Sequence, residues 1–378
     1  MKISYLYGSC ARNDAISNAI RHEVASLVRS GLAEVKLYAF HCDHDDLPFE
    51  QVGSVGDVLL SSHFQESDLV ICHFGIYHPL FDLLAVTPKR MRKLVVFHNI
   101  TPKQFVPADQ HPLIERSLSQ MSNIVWADHV ICVSETNLGV LREAGISTPA
   151  TVLGLAVDSD LQAPARKPSH VDGVVRIAFV GRMVNSKGPL ELLKGLEYVL
   201  ANGGALANGS GFQLDLIGNL NYSDARVTEQ VRLEMTALNK RFAGRVNIQL
   251  HGNAPEAIKQ KVLQEADLFV LPTYHEGFCV PIVEALSSGC LVVTYDNSNT
   301  PAVSGDLAIL VETGNQHALN HAILAQIARL QSNDWTAEGQ GSYRTYVERC
   351  RQHVAGFSPE HTERAFLRFL DKWMLPHI

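Results

Sequence analysis

Short apolar runs alternate with helix-length amphipathic stretches along most of this chain, in two successive blocks. In the first block ISYLY (3–7), VKLYAF (35–40), DLVICHF (68–74), KLVVFH (93–98) and HVICVS (129–134) read as strands. Between several of them, residues 14–29, 111–126 and 135–144 carry helical apolar spacing. Continuously apolar strands need both faces covered, and intervening helices supply the cover, so the pattern predicts a parallel α/β sheet. Around 158–174 it breaks into DSDLQAPARKPSHVDG, a polar stretch with two prolines that reads as a linker. It then restarts with strands at 175–181, 212–218, 245–252, 267–272 and 290–295, and helices over 224–242 and from Pro189, Pro255 and Pro281. ANGGALANGSG (201–211) reads as a flexible surface loop. Beyond 315 the chain reads as largely helical, ending in an amphipathic segment at 359–373.

The predicted architecture is therefore two doubly wound parallel-sheet domains facing a cleft. At 378 residues the chain has the length for two. The first domain is expected to take 1–165 plus 359–378, and the second 174–358. A net charge of −7 argues against a general nucleic-acid partner, which needs a basic face for phosphates. The start, MKISYLYGSC, lacks the apolar core of a secretory leader, and no run approaches the ~18 apolar residues of a membrane span. Seven scattered cysteines with no CxxC pair fit a reduced, cytoplasmic protein.

In open α/β sheets ligands gather beyond the carboxyl ends of strands, so unusual residues there are site candidates. In GRMVNSKGPLELL, Arg182 and Lys187 follow the strand that ends at Gly181, just before a helix starting near Pro189. A planar cation, a point charge and a helix start suit a diphosphate; an exposed loop with two solvated cations is the alternative. In TYHEGFCVPIVEALSSG, Pro281 sits near a helix start, so the N–H groups of Phe278, Cys279 and Val280 should point outward. Glu284 lies among Ile282, Val283, Ala285 and Leu286, where a carboxylate needs a hydrogen-bond partner. Paired ribose hydroxyls would supply one, and Glu276 in the preceding loop is placed to reach a sugar; the alternative puts Glu284 on a solvent face. His98 and Asn99 end another apolar strand and can bond into the cleft, or be satisfied locally. Gly8 ends the first strand, and Asp14 caps or begins the next helix. No GxGxxG occurs. HCDHDD (41–46) fits no zinc spacing and reads as a polar loop. Lys89, Arg90, Arg92 and Lys93 form a basic turn that is either solvated or a peripheral contact with an anionic membrane's inner face.

Taken together, FVGRMVNSKGPLELL, VNIQLHGNAPEAI, ADLFVLPTYHEGFCVPIVEALSSGCLVV, VVFHNITP and ADHVICVSETN resemble the retaining glycosyltransferases of family 4, of GT-B fold. The resemblance implies transfer of a hexose from a nucleotide-diphosphate sugar to a glycan or lipid-linked acceptor, in surface polysaccharide synthesis, with no metal or further cofactor. It implies that Arg182 and Lys187 hold the diphosphate and that Glu284 binds the ribose. Glu276 and the N–H groups of Phe278, Cys279 and Val280 meet the sugar and diphosphate. His98, with Asn99, contacts the sugar from the other domain. Gly181 and Gly8 let loops approach, and the base lies near Gly218, Gly252, Asn253 and Ala254. The last helix crosses back to the first domain. The chain departs from the family in GSCARND, where glycines are usual, and at Cys279, where a glycine is usual. A nucleotide-sugar epimerase, a glycoside hydrolase and a non-catalytic glycan-binding protein are the competing readings.

Overall fold

The computed structural model describes residues 1–12, 14–158, 163–202, 211–337 and 341–374. Most of the 201–211 stretch, and 159–162 of the 158–174 stretch, lie outside the described residues. The chain divides into two compact units, Met1–Ala156 with Phe357–Ile378, and Val157–Gly356.

The first unit is built on strands β1 (Lys2–Leu6), β2 (Glu34–Ala39), β3 (Phe49–Gln51), β4 (Leu69–Phe74), β5 (Arg92–Phe97), β6 (His129–Cys132) and β7 (Ala150–Val152), all paired in parallel in the order β3-β2-β1-β4-β5-β6-β7. β4, LVICHF, is buried at every position, as an apolar run covered on both faces must be. Helix α1 (Ala15–Ser30) starts where Asp14 accepts hydrogen bonds from the Ser17 N–H and hydroxyl at 2.8 and 2.7 Å, and stops at Gly31 with φ 66°. Helices α2 (His111–Gln120) and α3 (Glu135–Glu143) fall where helical spacing was read, though residues 121–126 tighten into a 3₁₀ turn.

The second unit carries β8 (Val175–Val180), β9 (Phe212–Ile217), β10 (Val246–Gly252), β11 (Leu268–Leu271), β12 (Leu291–Asp296) and β13 (Ala308–Glu312), also parallel, in the order β10-β9-β8-β11-β12-β13. Between the strands lie α4 (Pro189–Asn202), α5 (Ala225–Arg241), α6 (Glu256–Glu265) and α7 (Val280–Ser287), with α8 (Gln316–Leu330) and α9 (Tyr343–Val354) after them. Lys167 is 1% exposed; its ammonium donates to the carbonyls of Ser288 (2.7 Å) and Gln264 (2.9 Å). The Tyr343 hydroxyl donates to the Pro164 carbonyl at 3.0 Å. These contacts pin the end of the polar stretch to the second unit, so the division falls at Ala156/Val157 and not beyond 165.

Helix α10 (Pro359–Met374) returns to the first unit. It buries Phe366, Leu370 and Met374, four residues apart on one stripe. Burial of each such side chain contributes roughly 1.5–3 kcal/mol. Glu363 on its flank accepts from Arg29 of α1 at 2.6 Å, and the Arg92 guanidinium stacks over the Trp373 ring at 4.1 Å.

Each sheet reverses its winding direction beside its first strand: at β1/β4 in one unit and β8/β11 in the other. Loops that leave these neighbouring strands diverge above the sheet and open a crevice, the usual ligand position in doubly wound folds.

Candidate active site

In the second unit, the two loops at the β8/β11 reversal are fastened together. The Tyr274 N–H and the Thr273 hydroxyl both donate to the Ser186 carbonyl, at 2.8 and 3.1 Å. Across this staple, Lys187 Nζ lies 2.6 Å from Glu276 Oε1. Glu276 is 6% exposed and its partner is largely covered, so the pair is shielded from bulk water. Arg182 is exposed and makes no side-chain hydrogen bond or ion pair with the described residues. The structure thus joins Lys187 to Glu276 and leaves Arg182 apart.

Helix α7 begins one residue earlier than read, at Val280, with Pro281 in its first turn. Cys279 takes the N-cap position with φ 83° and ψ 60°, a left-handed conformation that Cβ sterics disfavour outside glycine. The turn is held from outside by Asn299, whose amide donates to the Phe278 carbonyl at 2.9 Å. The N–H groups of Cys279 and Val280 bond to no described residue, and they carry the positive end of the helix. Phe278 is buried and contributes packing to the turn.

Glu284 is 8% exposed, one turn into α7, which excludes the solvent-face alternative. Its Oε1 lies 2.6 Å from Nζ of Lys259 on α6, which also meets Glu256 at 3.0 Å. Burial holds the Glu284 carboxyl above the usual carboxylate range, against the opposing pull of Lys259. Burial pulls the Lys259 ammonium down too, but the two carboxylates prevail and hold it protonated. Sequence reasoning missed Lys259. The available signal was its place on α6, three residues after Glu256, on the helix that follows a site strand.

The four candidates near the expected base also converge. The Gly218 N–H donates to the Gly252 carbonyl at 3.2 Å, and Asn253 Oδ1 accepts from the Leu220 N–H at 2.6 Å. The Ala254 N–H donates to the Gly252 carbonyl at 2.8 Å. A Cβ on Gly218 would stand 2.0 Å from the Gly181 carbonyl oxygen, so these strand ends meet only because position 218 has no side chain.

In the first unit, His98 and Asn99 follow β5. Asn99 has φ 75°, is 7% exposed and uses its Oδ1 on the Ile100 N–H at 2.7 Å. Its Nδ2 is buried without a hydrogen-bond partner among the described residues, an orphaned donor that a ligand would satisfy. His98 Nε2 lies 2.9 Å from Nδ1 of the wholly buried His73 on β4, whose Nε2 lies 3.1 Å from Glu23 on α1. Burial, then the neighbouring His73, hold the His98 imidazole neutral, its pKa far below the usual range. Gly8 has a reason internal to the protein: its Cβ would sit 2.9 Å from the Cβ of His78. In the HCDHDD stretch, His41 bonds Asp43 at 2.7 Å within its own loop.

Residues 164–334 match the family model described as glycosyl transferases group 1. The chain is 26% identical over 257 residues to a phosphatidylinositol N-acetylglucosaminyltransferase polypeptide of Arabidopsis thaliana, covering 66% of this chain and 50% of that one. It is 32% identical over 88 residues to the O-antigen chain mannosyltransferase B of Escherichia coli, 23% of this chain and 22% of that one. The matches thus span half or less of these curated relatives. Among solved structures, Anabaena Alr3699/HepE in complex with UDP superposes with a TM-score of 0.73 at 16% identity, over 98% of this chain and 100% of that one. The two parallel sheets and this likeness make the fold GT-B.

Proposed function

We propose that this chain, whose residues 164–334 belong to the glycosyl transferases group 1 family, transfers a hexose from a UDP- or GDP-sugar to a glycan or lipid-linked acceptor with retention. The observation that carries the reading is the Lys187–Glu276 pair, stapled at the β8/β11 reversal at the start of α7, whose Cys279 and Val280 N–H groups bond to no described residue. Cleaving a sugar from a diphosphate develops negative charge on the leaving oxygen. Preformed donors stabilise that charge most when water is excluded. Lys187 and the Cys279 and Val280 N–H groups fill this role, and Arg182, unengaged among the described residues, closes on the diphosphate when it arrives. Neutralisation by these groups needs no metal ion.

Glu284 receives the ribose hydroxyls, with Lys259 opposing the effect of burial on its carboxyl and aiming it. Glu276 positions Lys187 and meets the sugar. Gly218, Gly252, Asn253 and Ala254 shape the base pocket. His98 and the orphaned Asn99 amide serve sugar hydroxyls. The UDP in the Anabaena structure and the sugar-transferring relatives support the donor class; the bacterial relative supports a role in surface polysaccharide assembly.

A thermal-shift panel of UDP-, GDP- and ADP-sugars tests the donor, because a ligand that binds only the folded state raises its stability. One nucleotide class should raise the melting temperature, and Lys187→Ala should abolish the rise. A panel with no response from any nucleotide sugar would overturn the reading.

A further inference from the structure

His98 reaches the protein through one nitrogen. Its Nε2 meets His73 Nδ1 at 2.9 Å, with ring centroids 5.1 Å apart and planes 26° apart, the geometry of an edge-to-edge N–H···N bond. Its Nδ1 has no hydrogen bond to a described residue and is not among the buried unpartnered atoms, so it is open to a ligand. Which of the two nitrogens bears the proton decides what His98 can do: an N–H donates, and a lone pair accepts.

The proton positions follow from the far end of the chain of bonds. Glu23 Oε2 lies 3.1 Å from His73 Nε2. The Tyr5 hydroxyl donates to the same oxygen at 3.2 Å, and burial, then Glu23, keep that phenol protonated. An ionised carboxylate only accepts, so His73 must present N–H at Nε2. With His73 in its neutral form, Nδ1 is a bare lone pair that must receive N–H from His98 Nε2; a doubly protonated His73 would donate there instead and leave His98 protonated at Nδ1, the outcome that the spectra below would report against the assignment. The opposite arrangement would set a lone pair of His73 against the carboxylate in a buried site, with a penalty of roughly 1–3 kcal/mol or more. Glu23 is held outside the apolar core: its side chain is 15% exposed and lines a cavity of about 40 Å³ beneath α10. The other groups around His73 do not compete for its ring nitrogens. Tyr5 stacks on the ring, Tyr7 meets it edge-on, and His78 Nε2 bonds its backbone carbonyl at 3.1 Å.

We propose that Glu23 and His73 form a two-residue relay that locks His98 in its Nε2–H tautomer, so that the ring offers Nδ1 as an acceptor for a sugar hydroxyl. Glu23 and His73 are positioning residues; neither needs to touch substrate. The tautomer assignment stands on protein geometry alone, and its consequence for turnover rests on the transferase reading above.

Long-range proton–nitrogen correlation spectra of the full chain labelled with [15N]histidine test it. Wild type should show His98 protonated at Nε2 and bare at Nδ1. Glu23→Gln, whose amide either donates or accepts, should give mixed tautomers for His73 and His98, and Glu23→Asp should restore one. With UDP-glucose and GDP-mannose as probes, Glu23→Gln should lower kcat for nucleoside diphosphate release about tenfold with KM unchanged. A wild-type His98 protonated at Nδ1 would overturn the proposal, as would Glu23→Gln leaving both tautomers single. Tautomers as stated in a native chain that releases nucleotide from no sugar donor would uphold the relay and sink the transferase reading.

Discussion

Lys187 and Glu276 come from loops 89 residues apart in sequence, yet their charged atoms meet at 2.6 Å. The pair is mostly covered, so neither partner is dispensable to the fold. Lys187→Ala should therefore do two separable things. It strands a buried carboxylate, at a stability cost on the order of 1–3 kcal/mol. It also removes a leaving-group contact worth ~2.7–4 kcal/mol of barrier, by analogy with oxyanion donors, or a hundredfold or more in turnover. The double variant Lys187→Met, Glu276→Leu should recover stability without recovering turnover. Urea unfolding beside donor turnover checks both; a double variant that regains activity would refute the diphosphate role. Arg182→Ala, at an exposed position with no side-chain partner among the described residues, should lose turnover with stability unchanged.

Cys279 holds φ 83°, where a β-carbon is strained by about 1–2 kcal/mol. It is also 4% exposed, so its thiol adds packing. Cys279→Gly relieves the strain and loses the packing, and should change stability by less than about 1 kcal/mol. Cys279→Val adds β-branching to the same conformation and should destabilise by roughly 2 kcal/mol or more. The expected order of urea midpoints is Gly close to wild type and Val well below; Val at or above wild type would show that the turn bears no strain.

What was legible in the sequence tracks what burial writes into it. The runs at 68–74 and 267–272 are apolar because sheet faces cover them, and they emerged as the fully buried β4 and β11. Edge strands leave a weaker mark: β3 (FEQ), β7 (ATV) and β13 (AILVE) are mostly half-exposed and went unread, and of the four edges only β10 was read. At the site, the position of Glu276, Lys187 and Glu284 at strand ends and helix starts was readable, because local pattern sets it. The partners were not: Lys259 reaches Glu284, and His73 with Glu23 behind it reaches His98, through tertiary packing that spacing does not encode. The strain at Cys279 and Asn99 was equally invisible, since composition carries no φ angle.

Gly8 was expected to let the first loop approach, and inside the protein its neighbour is the His78 side chain. An added Cβ would stand 2.9 Å from the Cβ of His78, closer than van der Waals contact allows. Both atoms are near the backbone, so neither can swing away. Gly8→Ala should destabilise the first unit by about 1–3 kcal/mol. His78→Gly in the same chain should return part of that loss, measured as the coupling in a double-mutant cycle. Strict additivity of the two changes would show that the contact is not the reason for the glycine.

His78 also makes the first unit's stability depend on pH, and the sign can be worked out. It is 4% exposed; burial pulls its pKa from 6.5 down to about 4, against smaller opposing effects of the His73 carbonyl and Asp82. In the unfolded chain the ring binds its proton near pH 6.5, and in the folded chain only near pH 4. Between those values the unfolded state holds more protons, so stability rises with pH through the window and is lost as pH falls. The span corresponds to about 3 kcal/mol for this one residue. Other histidines of the first unit share its direction, His98 by burial and then His73, and His129 by burial and then Arg92. The residue-specific readout is therefore the difference between wild type and His78→Gln. Hydrogen exchange of the β4 amides reports the first unit alone, since a two-unit chain has no single unfolding transition to quote. Wild type should lose protection between pH 6.5 and 4 more steeply than His78→Gln, the curves parting by roughly 3 kcal/mol at the acid end. Curves that stay parallel across the window would mean that the ring is protonated in the fold and that its burial does not exclude the charge.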